Sequence, residues 1–185
     1  MITQKIIKKV EEFVYEQGVP PKFHVELSNE KGQWLAKKLK ANKDVVLLGT
    51  LLMDCQLGKA ISEGRQKDHV AMSAKKAEEL LSKFKEITKE ERQNVLQCVR
   101  QHHGVKKFYS LEAEICCNAD CYRFASVRGV VGGIKHLRDM PLEDLVNLLS
   151  AKANEKWKAL TLDICKKELT PQYKAIKNFL SKYES

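Results

Sequence analysis

Several familiar signatures are missing from this sequence, and each absence removes a class of protein. Its six cysteines (55, 98, 116, 117, 121 and 165) form no CxxC pair. No secretory leader is recognisable, so reduced thiols in a cytoplasmic protein are expected. The longest apolar run, Val45 to Met53, is far too short to cross a bilayer, which excludes a membrane-spanning chain. There is no phosphate-cradling glycine loop, no serine nucleophile elbow and no dinucleotide fingerprint. No dense basic tract stands out either, although the formal net charge is +9 and the pI about 9.2. The excess Lys is spread along the chain (Lys8, Lys9, Lys37, Lys38, Lys75, Lys76, Lys166, Lys167), as expected for solvated helix faces. An anionic small substrate suits this charge. A nucleic-acid partner is not favoured, because no aromatic stacking platform or groove-reading motif accompanies the basic residues.

What is present is helical periodicity. No strand alternation persists and no internal repeat is visible, so the chain is expected to be all-α. With 185 residues, 43% hydrophobic, it can bury one sizeable core. Residues 2 to 17 read as an amphipathic helix closed by Gly18 and Pro20–Pro21, and a second carries Leu27, Trp34, Leu35 and Leu39. A third, from Asp44 to Met53, is apolar on nearly every side and must be central. Gly58 and Gly64 bracket an expected loop, followed by a helix with Val70, Ala74, Ala77, Leu81 and Phe84 in one stripe. Thr88 with Glu91 is a capping box for the helix ending at Gly104, and Ser110 can cap the next. A small-residue stretch with Gly129, Gly132 and Gly133 separates this part from a Pro141 start. One long helix is then expected through Val146, Leu149, Ala153, Trp157, Leu160 and Ile164, with a short last helix from Thr170 and Pro171. The boundaries are therefore a helical metal-binding domain over 1–141 and an extension over 142–185 packed on the core, with none of the candidate ligands in the extension.

The helices carry an ordered series of metal-type side chains: His24, Asp54, His69, His102, His103 and Asp120. Neutral imidazoles and carboxylates suit divalent transition metals, and a site built between facing helices draws its ligands from scattered segments. Asp54 follows directly on an apolar run, where an unpaired carboxylate is costly. A metal satisfies it, and so does a salt bridge to Lys59 or Arg65. Cys116, Cys117 and Cys121 lie near Asp120, but adjacent helical cysteines point in different directions and are expected to be small buried thiols. His103 is expected to be a turn residue if only one member of the His102–His103 pair is a ligand.

Five segments carry these residues in order: FHVELSNEKGQWLA with His24, VVLLGTLLMDCQLGK with Asp54, DHVAMSAKKAEELL with His69, VRQHHG with His102 and His103, and EICCNADCYRFASVRGVVGGI with Asp120. Over residues 22 to 135 they resemble the HD superfamily of metal-dependent phosphohydrolases. That resemblance implies an HD-domain-like helical bundle with a divalent metal (Mn, Fe, Ni, Co, Zn or Mg). It implies a first metal position at His24, Asp54 and Asp120, and a second at Asp54, His69 and His102 or His103. One departure stands out: the first residue of the namesake His-Asp pair is Met53, whose thioether is a poor ligand for such metals.

The resemblance implies hydrolysis of a phosphate ester, a nucleotide or small phosphorylated metabolite, with Asp54, His69 and His103 as catalytic groups. Lys59, Arg65 and Arg123 are candidates to grip the phosphate, although single Lys and Arg residues are usually just solvated. The alternative is a catalytically degenerate HD-fold protein that binds metal, nucleotide or a protein partner, for which Met53 is the main support. An iron oxygenase on the same fold ranks last. A homodimer is compatible with the sequence.

Overall fold

A computed structural model describes residues 1–183, so the last two residues of the expected extension lie outside it. Among the described residues there are ten α-helices and no strand. The first seven are α1 (Gln4–Glu16), α2 (Lys22–Leu39), α3 (Lys43–Leu52), α4 (Leu57–Ser62), α5 (His69–Leu81), α6 (Lys89–Gln101) and α7 (Leu111–Ala125). The last three are α8 (Val127–His136), α9 (Leu142–Ala159) and α10 (Asp163–Ser181).

Local chemistry sets most helix starts. Thr3, Asn42, Ser110 and Ser126 each accept a hydrogen bond from a backbone N–H in the first turn that follows. Thr88 and Glu91 complete both halves of a capping box at α6. Gly18 ends α1 in the left-handed region at φ 70°, where a side chain would be strained.

α7 is the axle of the bundle. It is buried along most of its length, and α2, α3, α6 and α9 all pack on it. α3 lies so close that a Cβ on Gly49 would stand 2.6 Å from Cβ of Cys98 and 2.7 Å from Sγ of Cys116. The continuous stretch Lys43–Ser62 is long and apolar enough, by length and composition, to cross a membrane, but its apolar side chains are the centre of this core. Val45, Val46, Leu48, Leu51 and Leu52 are at most 2% exposed. A smaller second core joins Val130 of α8 to Leu145, Val146, Leu149 and Ala153 of α9 and to Ile176 and Leu180 of α10.

Two expectations are corrected, and one stretch left without an element is assigned. The segment bracketed by Gly58 and Gly64 is not a loop but the short helix α4. The glycine stretch at 129–133 is helical, because Ser126 caps it and because small residues permit close approach. A Cβ on Gly132 would lie 2.0 Å from the Phe23 ring, so α8 can sit against α2 only without one. The seam expected to run unbroken to Ile164 is interrupted at residues 160–162, and the last helix starts at Asp163 with Pro171 inside it. Asn118 of α7 holds that corner: its Oδ1 accepts from the backbone N–H groups of Thr161 (3.1 Å) and Leu162 (3.0 Å), and its Nδ2 donates to the Thr161 hydroxyl at 2.8 Å. Pro171 cannot donate to the helix ladder, yet α10 continues because its buried stripe of Cys165, Leu169, Ile176 and Leu180 is held by packing.

Candidate metal centre

Asp54 is placed just past the C-terminus of α3, at the buried end of the most apolar helix, with 6% exposure. Its two oxygens face different surroundings. Oδ1 meets imidazoles: Nε2 of His69, at the start of α5, and Nε2 of His102, at the end of α6, each lie 3.3 Å away. Neither contact has the geometry of a hydrogen bond, so Oδ1 of Asp54 and Nε2 of His102 are both buried without a hydrogen-bond partner. His103 joins them, with its Nε2 3.1 Å from Nε2 of His69. One ligand atom from each of Asp54, His69, His102 and His103 lies within 4.8 Å of the other three.

The backbone fixes two of these tautomers. Nδ1 of His69 lies 2.7 Å from the Gln66 carbonyl, and Nδ1 of His102 lies 2.7 Å from the Val99 carbonyl. A carbonyl only accepts, so each Nδ1 carries a proton, and in the neutral ring the Nε2 lone pair points at Asp54. An oxygen and two imidazole nitrogens thus converge on one point, where a bound cation or a proton on His69, whose pKa Asp54 raises, meets the carboxylate. His103 differs: its Nδ1 sits between a carboxylate, Glu155 at 3.1 Å, and an ammonium, Lys156 at 3.2 Å. Donation to Glu155 frees its Nε2 as a further ligand, while acceptance from Lys156 puts the proton on Nε2.

The other oxygen of Asp54 meets a fixed positive charge. Arg123 donates from Nη1 to Oδ2 of Asp54 at 2.5 Å and to Oδ1 of Asp120 at 2.8 Å. Lys156, delivered by α9, lies 2.5 Å from Oδ2 of Asp120. All four groups are nearly inaccessible: Asp120 is 0% exposed, Arg123 and Lys156 4% each. Burial raises the carboxyl pKa of Asp120, but Lys156 and Arg123 outweigh it and leave the acid well below its usual range. Burial likewise pushes Asp54 up, and His102 and Arg123 bring it far down. Lys156 is shifted upwards, since Asp120 overcomes its desolvation.

Of the six residues expected as ligands, four therefore come together. Asp120 lies across Asp54 from the histidines, held by two internal cations. His24 stands apart: its Nε2 is 3.2 Å from the Gly129 carbonyl and its ring meets the edge of Phe124 at 5.1 Å between centroids. Burial, and then the charge of Arg123, lowers its pKa to about 4. Lys59 and Arg65 are not brought to the centre. They are exposed and pair with Glu63, Arg65 also with Asp68 at 3.1 Å. Arg123 reaches the centre as a partner of carboxylates. Met53 is buried at 2% exposure, and the cysteines near Asp120 are free buried thiols. Sequence reasoning gave Glu155 no role and read Lys156 only as one of the basic residues of a contact surface on the C-terminal helix. Both look like ordinary charges of a solvated face, and only the packing of α9 on α7 brings them inward.

A cleft of about 300 Å³ opens onto Asp54, His69 and His103. Its walls are apolar, from Pro21, Leu57, Ile61, Phe124, Leu137 and Leu148, while Lys152 and Lys156 add positive charge.

No protein-family model and no curated protein matches the chain. Solved structures do. A protein from Lactobacillus plantarum superposes with a TM-score of 0.73 at 14% identity, covering 100% of this chain and 97% of its own. Bacillus subtilis YpgQ, solved also in complex with ADP, gives 0.69 at 13% identity over 97% of this chain and 94% of its own. An HD-superfamily hydrolase from Bacillus thuringiensis gives 0.64 at 16% identity, over 98% and 96%. The chain has the HD-domain fold, and it has that fold over its whole described length, α9 and α10 included.

The donor set fits a divalent metal. Mixed imidazole and carboxylate ligands suit manganese, iron, cobalt, nickel or zinc, whereas magnesium prefers an all-oxygen shell.

Proposed function

We propose that the chain is a metal-dependent phosphohydrolase of small phosphate esters, with a nucleotide as the favoured substrate. The observation that carries this reading is the convergence of Oδ1 of Asp54 with Nε2 of His69 and of His102, their Nδ1 atoms tied to backbone carbonyls. Asp54, His69 and His102 would hold the ion, and His103 would complete the set when its Nδ1 donates to Glu155. A divalent cation supplies Lewis acidity there, making water acidic enough to attack phosphorus near neutral pH and offsetting charge on the phosphoryl oxygens. Lys152, at the cleft, favours an anionic ester there, and the apolar walls accept the organic part. When it is not a ligand, His103 can instead take a proton from the cleft at Nε2 and release one from Nδ1 to Glu155, which is partly exposed to solvent. The HD-domain fold, which the chain shares with hydrolases and with a protein solved with ADP, supports this choice of reaction and substrate. Six free thiols support a reducing, cytoplasmic setting.

The test is elemental analysis of the purified protein with a phosphatase screen on nucleotides in added manganese, cobalt or nickel. Bound metal with chelator-sensitive turnover is expected. Absence of metal overturns the reading.

A second reading has its own observation. Arg123 and Lys156 fill the space beside Asp120, as expected of a degenerate centre that keeps a metal or nucleotide without turnover. Stoichiometric metal with no hydrolysis of any ester in the screen selects it.

A further inference from the structure

Two buried acids offer four carboxylate oxygens at this centre, and three of them are already in contact with a fixed cation. Oδ2 of Asp54 and Oδ1 of Asp120 share the Arg123 guanidinium at 2.5 and 2.8 Å, and Oδ2 of Asp120 lies 2.5 Å from the Lys156 ammonium. Only Oδ1 of Asp54 is left, and it faces the histidines. We infer that the centre accepts a single divalent ion per chain, because Arg123 and Lys156 stand as built-in cations where a second ion would have to bind. This rests on the metal-binding reading above and concerns the number of ions rather than their presence.

Charge and donor supply both favour one ion. Asp54 and Asp120 carry two negative charges, and Arg123 and Lys156 two positive ones, so this buried group is neutral as it stands. An ion on the histidine side borders the cleft, where water or an anionic ester can offset its charge, whereas one beside Asp120, which is 0% exposed, would leave its charge uncompensated. No neutral donor is at hand there to replace the lost carboxylates. Met53 offers only a thioether. His24 directs Nε2 to the Gly129 carbonyl, 3.2 Å away, and packs against Phe124. On the other side of Asp54, by contrast, imidazole nitrogens of His69, His102 and His103 lie close enough together to serve as neutral donors. The two cations come from different parts of the chain: Arg123 lies one turn beyond Asp120 on α7, while Lys156 reaches in from α9. Removing either one alone leaves the other still beside Asp120.

Equilibrium dialysis of the full chain against manganese, with metal measured by atomic absorption, tests this. The expected result is saturation at one ion per chain and an uncoupled Mn(II) electron paramagnetic resonance spectrum. Two ions, or an exchange-coupled spectrum, overturn the single-ion inference and leave the metal-binding reading standing. No ion at all overturns that reading and with it this one. The variant Met53→His with Arg123→Gln and Lys156→Met is expected to rise towards two ions if circular dichroism shows it folded. A folded variant that stays at one ion shows that the internal cations are not what excludes the second. Should the variant not fold, the wild-type stoichiometry decides by itself.

Discussion

The two oxygens of Asp54 face opposite kinds of chemistry across about the width of one side chain. On the Oδ1 side three imidazoles present nitrogen, and the buried acceptor lacks a partner. On the Oδ2 side a guanidinium and, beyond it, an ammonium close the circuit through Asp120. One half of the centre needs an ion from outside, and the other brings its own. The same residue types can thus form a binding site or a structural core, and the difference lies in whether a chain-borne cation reaches them first.

The sharpest way to break this comparison is to neutralise Asp54, which belongs to both halves. Asp54→Asn should lower metal affinity by at least about 100-fold, measured by dialysis, since the site loses its only anionic ligand. It should also cost about 3–5 kcal/mol of unfolding free energy in denaturant titration, because Arg123 keeps its charge in a buried site with half its partners gone. Asp120→Asn separates the halves. A loss of about 3 kcal/mol is expected, with metal affinity kept within a few-fold; a collapse of metal binding to the Asp54→Asn level would sink the division. A third prediction uses acid. The unfolded chain protonates His24 near 6.5, whereas burial and Arg123 hold the folded value at about 4. Stability present above pH 6.5 is therefore lost progressively as the pH falls towards 4, by up to about 3 kcal/mol. His24→Gln should flatten that limb of the stability profile, and an unchanged slope would assign it to other groups. The smallest effects belong to Lys59→Ala and Arg65→Ala. Both side chains are exposed and pair only with surface carboxylates, so stability should change by less than about 0.5 kcal/mol and metal affinity not measurably.

Much of this was readable from residue order. The apolar face of α3 made it central, the Thr88–Glu91 box fixed the start of α6, and Asp54 at the end of an apolar run signalled a buried acid needing a cation. The HD-domain fold was implied by the resemblance of five ordered segments over residues 22 to 135, not by any of these features alone. What the sequence hid lies in distances between remote segments. Nothing local says that Lys156, four residues past Lys152 on an amphipathic helix, turns inwards while its neighbours face solvent. Nor does spacing show that Arg123 bridges Asp54 and Asp120, or that His24 bonds a carbonyl. The glycines at 129–133 were left without an element for a related reason: their low helix propensity gives no local sign of α8, which packing against Phe23 and Tyr122 holds in place. The pause at residues 160–162 escaped notice because the apolar seam continues through it.

That pause has a consequence for the centre. The Asn118 amide clasps the Thr161–Leu162 corner from a position only two residues before Asp120, so the same helix that carries the acid also sets the rotational phase of the helix that carries its ammonium. A slip of one residue at the corner would swing Lys156 about 100° around its helix axis and leave Asp120 with Arg123 as its one internal cation. A single carboxamide, chemically inert and far from any substrate, thereby acts as the alignment pin of the charged interior.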